Sequence, residues 1–414
     1  MAEGVSGPAR YCVVSADGHV GPSVKGQLRQ YCEAKYLDDF DRFVDEMEGH
    51  LLYTDAAYLE EPIKSMRYEH SLVAGLQDEA ARRADMDADG IAADVLFHGG
   101  LNGQSVPFST TGLITWSNPA YNALEAVGVH IYNRWLADFV SNAPKRHVGV
   151  AHIPISDPDA CVREVEWAAS NGLKAVNLPA PRNDFPMYNS GVWEPLWAAC
   201  EANGVVLTTH AGGGNLYPFE GVEAVALFLI ESSWLSRRSV WVLILSGVFE
   251  RHPKLKFLAT EQYGDWAPNT LADMDSAYYA THTASLRAVL PKPPSEYFMS
   301  NCFIGASFMS PSEAREGIGN GLERNLLWGA DYPHWEGTWP RTLPAMRHTF
   351  ATLPVAPVRR YLGENAIDVF GLDRAELTKL ASQIGPKVDD VAVEFEPPPE
   401  MVRGFAFRQH GKFS

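Results

Sequence analysis

YCVVSADGH, residues 11–19, is an apolar run that stops at Asp17-Gly18-His19. Its valines favour a strand, and the polar triplet marks where that strand ends. The same grammar recurs down the chain. Residues 91–97 (IAADVLF) end at His98, 148–155 (VGVAHIPI) at Ser-Asp-Pro, 173–178 (LKAVNL) at Pro-Ala-Pro and 204–209 (GVVLTT) at His210. Residues 256–260 (KFLAT) precede Glu261, 303–308 (FIGASF) precede a Ser-Pro turn, and 326–329 (LLWG) lead to Asp331. Eight short apolar strands, most followed by a helix-like stretch such as 159–170 or 192–203, predict a parallel sheet buried on both faces. Eight such units fit an α/β fold of the closed (β/α)8 type, a TIM-like barrel, better than an open sheet. Barrels of this kind carry their chemistry at the strand C-terminal ends, and His19, His98, His210, Glu261 and Asp331 all fall there.

The rest of the 414-residue chain is organised around that barrel, expected over residues 1–387. Residues 20–75, rich in Tyr, Asp and Glu, interrupt the pattern after the first strand and read as an inserted lid or interface segment. Residues 388–414 mix acids, prolines and aromatics and read as a tail packing on the barrel or on a partner subunit of a homodimer. With 34 Lys and Arg against 51 Asp and Glu, the net charge is −17. Such a surface repels phosphate backbones and anionic lipid, so neither nucleic acid nor membrane is an expected partner. Five cysteines without a CxxC pair make no disulfide framework, and the first ten residues lack the apolar stretch of a signal peptide. A cytoplasmic location is expected. Tyr53, Tyr58, Phe108, Trp335 and Trp339 lie in segments that can reach the rim, which points to a bulky apolar small-molecule substrate, although lid packing uses aromatics equally.

No GxxxxGK[ST], GxSxG or HExxH occurs, so phosphate-loop, nucleophile-elbow and zincin chemistries have no footing. Gly212-Gly213-Gly214 lacks dinucleotide-binding spacing and reads as close backbone approach to a ligand beside His210. What remains is a dispersed set of nitrogen and oxygen ligands. In Asp17-x-His19 the period-two spacing at a strand end turns both side chains to one face. Taken alone the pair is equally a turn aspartate and a rim histidine; with His210 and Asp331 on other strand ends, a metal site is the better reading. His98 has an active-site-wall alternative, Glu261 a salt-bridge one and Asp331 a helix-cap one. His334, three residues past Asp331, is expected to orient a ligand or move a proton. His152 fits the pocket and the core equally.

These motifs, in order, resemble the amidohydrolase-related branch of the amidohydrolase superfamily: SADGHV at the first strand, TTHAGGG at the fifth, GVFERHPKLKFLATEQ through the sixth and WGADYPHWEGTWP at the eighth. The resemblance implies a (β/α)8 barrel with one or two divalent metals, and it carries the ligand roles onto Asp17, His19, His210 and Asp331. Three departures stand out. Decarboxylases of the branch usually have a histidine where Glu261 stands. The lysine that bridges dinuclear hydrolases has only Lys174, near the start of its strand, to match it. His98 occupies a position where many relatives have proline.

Three imidazoles (His19, His98, His210) and three carboxylates (Asp17, Glu261, Asp331) exceed what one catalytic metal needs. Two divalent ions are therefore expected, with Asp17, His19 and Asp331 on one and His98 and His210 on the other, Glu261 or an aspartate bridging. Iron is favoured, with manganese or zinc as alternatives. Some members of the branch hold a dinuclear iron centre that activates O2. On that basis the expected activity is an O2-dependent monooxygenase acting on an organic acid or thioester, with Glu261, Asp331 and His334 as catalytic groups. The alternatives are a metal-dependent hydrolase of an amide, ester or lactone, a non-oxidative decarboxylase, and a barrel that has lost its metal and serves only as a binding subunit.

Overall fold

The structure, a computed structural model, describes residues 9–49, 63–109, 119–212, 221, 223–307, 309–398 and 407. Nine parallel strands are present among them: β1 (Val13–Ser15), β2 (His19–Val20), β3 (Ile91–His98), β4 (His147–Ala151), β5 (Ala175–Asn177), β6 (Val206–His210), β7 (Phe257–Thr260), β8 (Cys302–Ser307) and β9 (Leu326–Gly329). The order β1-β3-β4-β5-β6-β7-β8-β9 makes a barrel, with the short β2 pairing to β3 beyond β1. All eight predicted strands are found. The ends of the sheet meet: Ala16 N–H donates to Trp328 O (2.9 Å), Asp331 N–H to Asp17 O (3.0 Å) and His19 N–H to Tyr332 O (2.6 Å). The (β/α)8 fold follows from this closure and from the helices between strands.

Local sequence explains the helix starts. Asp157 caps Pro158–Ser170 by accepting from the Asp159 and Ala160 amides, and Pro158 sits where a missing N–H costs nothing. Ser310 and Glu313 form a reciprocal capping box on Pro311–Gly319. One apolar cluster fills the space between strands and helices. A second joins Val95, Val148, Val206, Leu258 and Leu327 of the strands to Ile367 and Phe370 of the helix Asn365–Phe370. Lys174 Nζ donates to Gly371 O just past that helix, at the barrel end opposite the strand C-termini, so it is far from any bridging position.

Within the segment after β2, Phe40 and Phe43 of the helix Leu37–Gly49 are buried, and the Phe43 ring packs on Phe108 and Tyr121 at 5.2 and 5.4 Å. Phe108 therefore serves packing and not the rim. Tyr53 and Tyr58 lie outside the described residues. In the tail, Phe407 is buried against Ala345 and Phe395. Among the described residues no helix is long and apolar enough to cross a membrane.

Candidate metal centre

At the C-terminal mouth of the barrel four buried atoms make no hydrogen bond: Asp17 Oδ1, His19 Nε2, His210 Nε2 and Asp331 Oδ1. His19 Nε2 lies 3.0 Å from Asp331 Oδ1 and 3.6 Å from Asp17 Oδ1, and His210 Nε2 lies 3.4 Å from Asp17 Oδ1. Asp17, His19 and His210 each offer a ligand atom within 4.8 Å of the others, and so do His19, Asp331 and His334. An unmatched buried polar atom costs about 1–3 kcal/mol. Three of them, on Asp17, His19 and His210, gather in one group, and Asp331 Oδ1 joins it through His19; such a set, two of its members carboxylates, calls for a cation. The donor set fits a divalent metal: two imidazole nitrogens and two carboxylate oxygens, without sulfur.

The other atoms of these side chains are held by the fold. Ser307 Oγ, from the end of β8, donates to Asp17 Oδ2 at 2.6 Å and leaves Oδ1 for the centre. A Cβ on Gly329 would stand 2.7 Å from Asp17 Cβ and 2.8 Å from Ser307 Oγ, so only glycine lets β9 pass this close. His210 Nδ1–H is directed at Ala211 O (3.0 Å), which fixes the tautomer that frees Nε2. His334 Nε2–H donates to Gly99 O (2.7 Å) while its Nδ1 faces both Asp331 oxygens at 3.1 and 3.2 Å. Its ring stacks on His19 with centroids 3.9 Å apart.

Charges sort accordingly. Burial pushes the His19 pKa well below the usual imidazole value, and neighbouring His334 adds to the drop. Burial opposes charge on His210 and His334 too, but Asp17 lifts the first to about 9 and Asp331 the second to about 10. The carboxylates thus draw positive charge wherever it can be found. Burial lifts Glu261 to about 8, with Asp331 and Asp17 adding to the rise and His210 opposing it.

Asp331 and Glu261 both have left-handed backbone (φ 55° and 54°), a conformation that costs non-glycine residues free energy and clusters at functional sites. Glu261 Oε2 approaches His210 at Nδ1 (3.4 Å), the edge opposite Nε2, and its side chain is 23% exposed. It stands beside the converging atoms and is absent from both ligand groups.

His98 is not brought to the centre. Phe97 faces it instead, with its ring 6.3 Å from His19 and 4.9 Å from His210, and strand alternation turns the next residue away. The His98 ring lies against Tyr132 (5.2 Å) and His152 (5.8 Å), and burial lowers its pKa to about 3. His152, at the end of β4, belongs to that aromatic group, and burial lowers its pKa to about 4. The expected second ion on His98 and His210 thus finds no assembled ligand set among the described residues.

Two residues that hold the candidate ligand side chains were not singled out in the sequence. Ser307 lay in plain view as a polar strand end in FIGASF. Arg82, wholly buried behind His19, gave no signal, because an arginine in an acidic helix reads as surface.

A model of the family described as Amidohydrolase (the Amidohydro_2 type) matches residues 49–372. The 2-amino-3-carboxymuconate-6-semialdehyde decarboxylase of Dictyostelium discoideum is 24% identical over 268 residues, which cover 62% of this chain and 69% of that one. The gamma-resorcylate decarboxylase of Polaromonas is 25% identical over 223 residues, covering 49% of this chain and just under two thirds (64%) of that one. Among solved structures, 5-carboxyvanillate decarboxylase from Sphingomonas paucimobilis superposes with a TM-score of 0.60 at 22% identity, covering 87% of this chain and 99% of that one. Dihydroxybenzoic acid decarboxylase from Polaromonas, solved with manganese and 2-nitroresorcinol, gives 0.59 at 18%, covering 88% and 98%. These neighbours share the fold. The curated relatives also correct the expectation of a dinuclear iron monooxygenase: both are decarboxylases. Physically, the carboxylate-rich pair of ions that O2 chemistry was to use needs His98, and His98 faces elsewhere.

Proposed function

The chain belongs to the amidohydrolase family, and from that premise we propose that it is a metal-dependent, non-oxidative decarboxylase of a small aromatic or unsaturated organic acid. The observation that carries this reading is the convergence of Asp17 Oδ1, His19 Nε2, His210 Nε2 and Asp331 Oδ1, unmatched and buried, in a chain whose curated relatives remove CO2 from such acids. These four side chains would hold one divalent ion, manganese before zinc or iron, since structural neighbours carry manganese. When bound, the ion supplies Lewis acidity toward the oxygens of the substrate.

The chain's own groups do the rest. Ser307 and Ala211 O hold Asp17 and His210 in the ligating orientation, and His334 steadies Asp331. The Phe97 ring packs beside His19 and His210 and gives the candidate centre an apolar wall. As the bond to the carboxylate carbon breaks, its electron pair stays on the substrate carbon and CO2 leaves. That carbon then takes a proton from Glu261 Oε2, and the exposed edge of Glu261 recovers one from solvent. The glutamate stands where the branch usually has a histidine, and burial favours the protonated form from which it can deliver a proton. With five free thiols, three of them buried, a reducing cytoplasm suits the protein.

The test is CO2 release from a panel of hydroxybenzoic and unsaturated dicarboxylic acids by manganese-loaded protein under nitrogen and in air. Equal release in both, abolished by chelation, supports the reading. Product that forms only with O2, or a panel that yields no CO2, overturns it.

A further inference from the structure

Behind the metal-facing side chains lies one cation that the reaction does not use. Arg82, on the helix Glu79–Asp89, is fully buried. Its Nε pairs with Asp94 Oδ2 of β3 at 2.7 Å, and its Nη1 donates to the backbone oxygen of His19 at 2.6 Å. The guanidinium lies 4.6 Å from the centroid of the Tyr332 ring, the residue after Asp331. Tyr332 O in turn accepts from His19 N–H at 2.6 Å. A Cβ on Gly18 would stand 2.7 Å from Arg82 Nη2, so the turn between Asp17 and His19 rests directly on the guanidinium.

The same helix face reaches that turn once more, through Tyr332, and the start of the helix Thr342–Phe350 beyond it. Tyr332 Oη donates to Asp85 Oδ2 at 2.6 Å, and Thr342 Oγ1 donates to Asp89. Residues 82, 85 and 89 lie on one side of a helix, so a single rigid surface supports both ligand-bearing turns. Asp94 is anchored from its other oxygen by His147 Nδ1 at 2.7 Å, and His147 Nε2 by Glu79 at 3.1 Å, back on the same helix. A fully buried guanidinium with one carboxylate partner and an Nη2 that makes no hydrogen bond is an expensive way to fill space. An apolar side chain would fill it more cheaply. What arginine adds is a planar fork that grips two chain segments at once.

We propose that Arg82 is a positioning residue for the metal centre: by gripping His19 O and the Tyr332 ring together it sets the approach of His19 Nε2 to Asp331 Oδ1. The inference rests on the metal-binding part of the functional reading and is independent of which reaction follows. Lysine keeps the charge and loses the fork, so Arg82→Lys separates grip from charge.

The experiment is a manganese and zinc titration of the apoprotein against a fluorescent chelator, with apoprotein thermal unfolding run alongside. Arg82→Lys should bind metal about 10–100-fold more weakly than wild type. Tyr332→Leu should weaken binding in the same direction, and the double variant should lose less than the product of the two, because both act through one grip. If Arg82→Lys does not fold, Tyr332→Leu decides alone. Folded variants that bind metal as tightly as wild type overturn the proposal and leave the metal centre standing. A wild-type protein that binds neither metal overturns the centre and this role with it.

Discussion

Ser307 Oγ donates to Asp17 Oδ2 at 2.6 Å, joining the end of β8 to the turn after β1 across the chain of β9. The bond settles which Asp17 oxygen is offered to the centre, and the absent side chain of Gly329 makes room for it. Ser307→Ala should therefore leave the fold intact and weaken metal binding about 10-fold. Chelator competition reads the loss, and unchanged affinity would show that Asp17 is held by its backbone alone.

Loss of a ligand should be more severe. In wild type, manganese at about one hundred times its dissociation constant should add about 2.7 kcal/mol of stability. His210→Ala should show no such increment in thermal or urea unfolding. His98→Ala should keep it, along with close to one equivalent of metal, because the His98 ring is against Tyr132 and His152 and outside the ligand groups. Metal analysis of the two variants decides between one ion and two.

Glu261→Gln removes an acidic proton and keeps the shape. Decarboxylation should slow by about 10²-fold or more, the usual share of a positioned general acid, with metal content unchanged. If the variant instead loses its metal, Glu261 is a ligand and the proton comes from elsewhere.

Acid should loosen the support behind the site. Burial alone would raise the Asp94 carboxyl, but Arg82 and His147 hold it down at about 2, below its ordinary 3.8. A depressed carboxylate contributes stability that is present above its unfolded value and lost as the pH falls through the folded one. Wild type should thus lose about 2 kcal/mol from this group between pH 4 and pH 2. Asp94→Asn should lack that part of the slope and be less stable at pH 7, since Arg82 is left buried without its carboxylate. Urea midpoints of the two proteins across that range give the comparison.

Much of this was legible in the residues. A strand betrays itself by an apolar run and its end by a polar residue, so the barrel and its rim could be read directly. Asp17 and His19 declared a shared face through their spacing. His98 does end β3 at the rim, as its sequence position says, but its ring meets Tyr132 and His152 and not the ligand groups, because Phe97 and His98 both close the strand and alternation sends only one to the interior. Glu261 was legible as a rim carboxylate, but the edge of His210 that it meets depends on its left-handed backbone, which no composition encodes. Arg82 was invisible because its importance comes from what folds over it: Asp94, the oxygen of His19 and the ring of Tyr332 are brought together only by closure.

That closure has a consequence for how the protein is made. The hydrogen bonds that seal the barrel, Asp331 N–H to Asp17 O and His19 N–H to Tyr332 O, are formed by the same turns that present the ligands. Asp17 and His19 are made before β3, and their partners Asp331 and Tyr332 follow only after β3 to β9 have been made. Nascent chain that stops short of β9 carries Asp17, His19 and His210 but lacks Asp331, and should release manganese to a weak chelator. The complete chain should capture the ion in the step that docks the last strand. Stalled translation intermediates cut before and after residue 340 would separate the two behaviours, and the chain would draw on the cell's metal only once the turn carrying Asp331 has been made and docked.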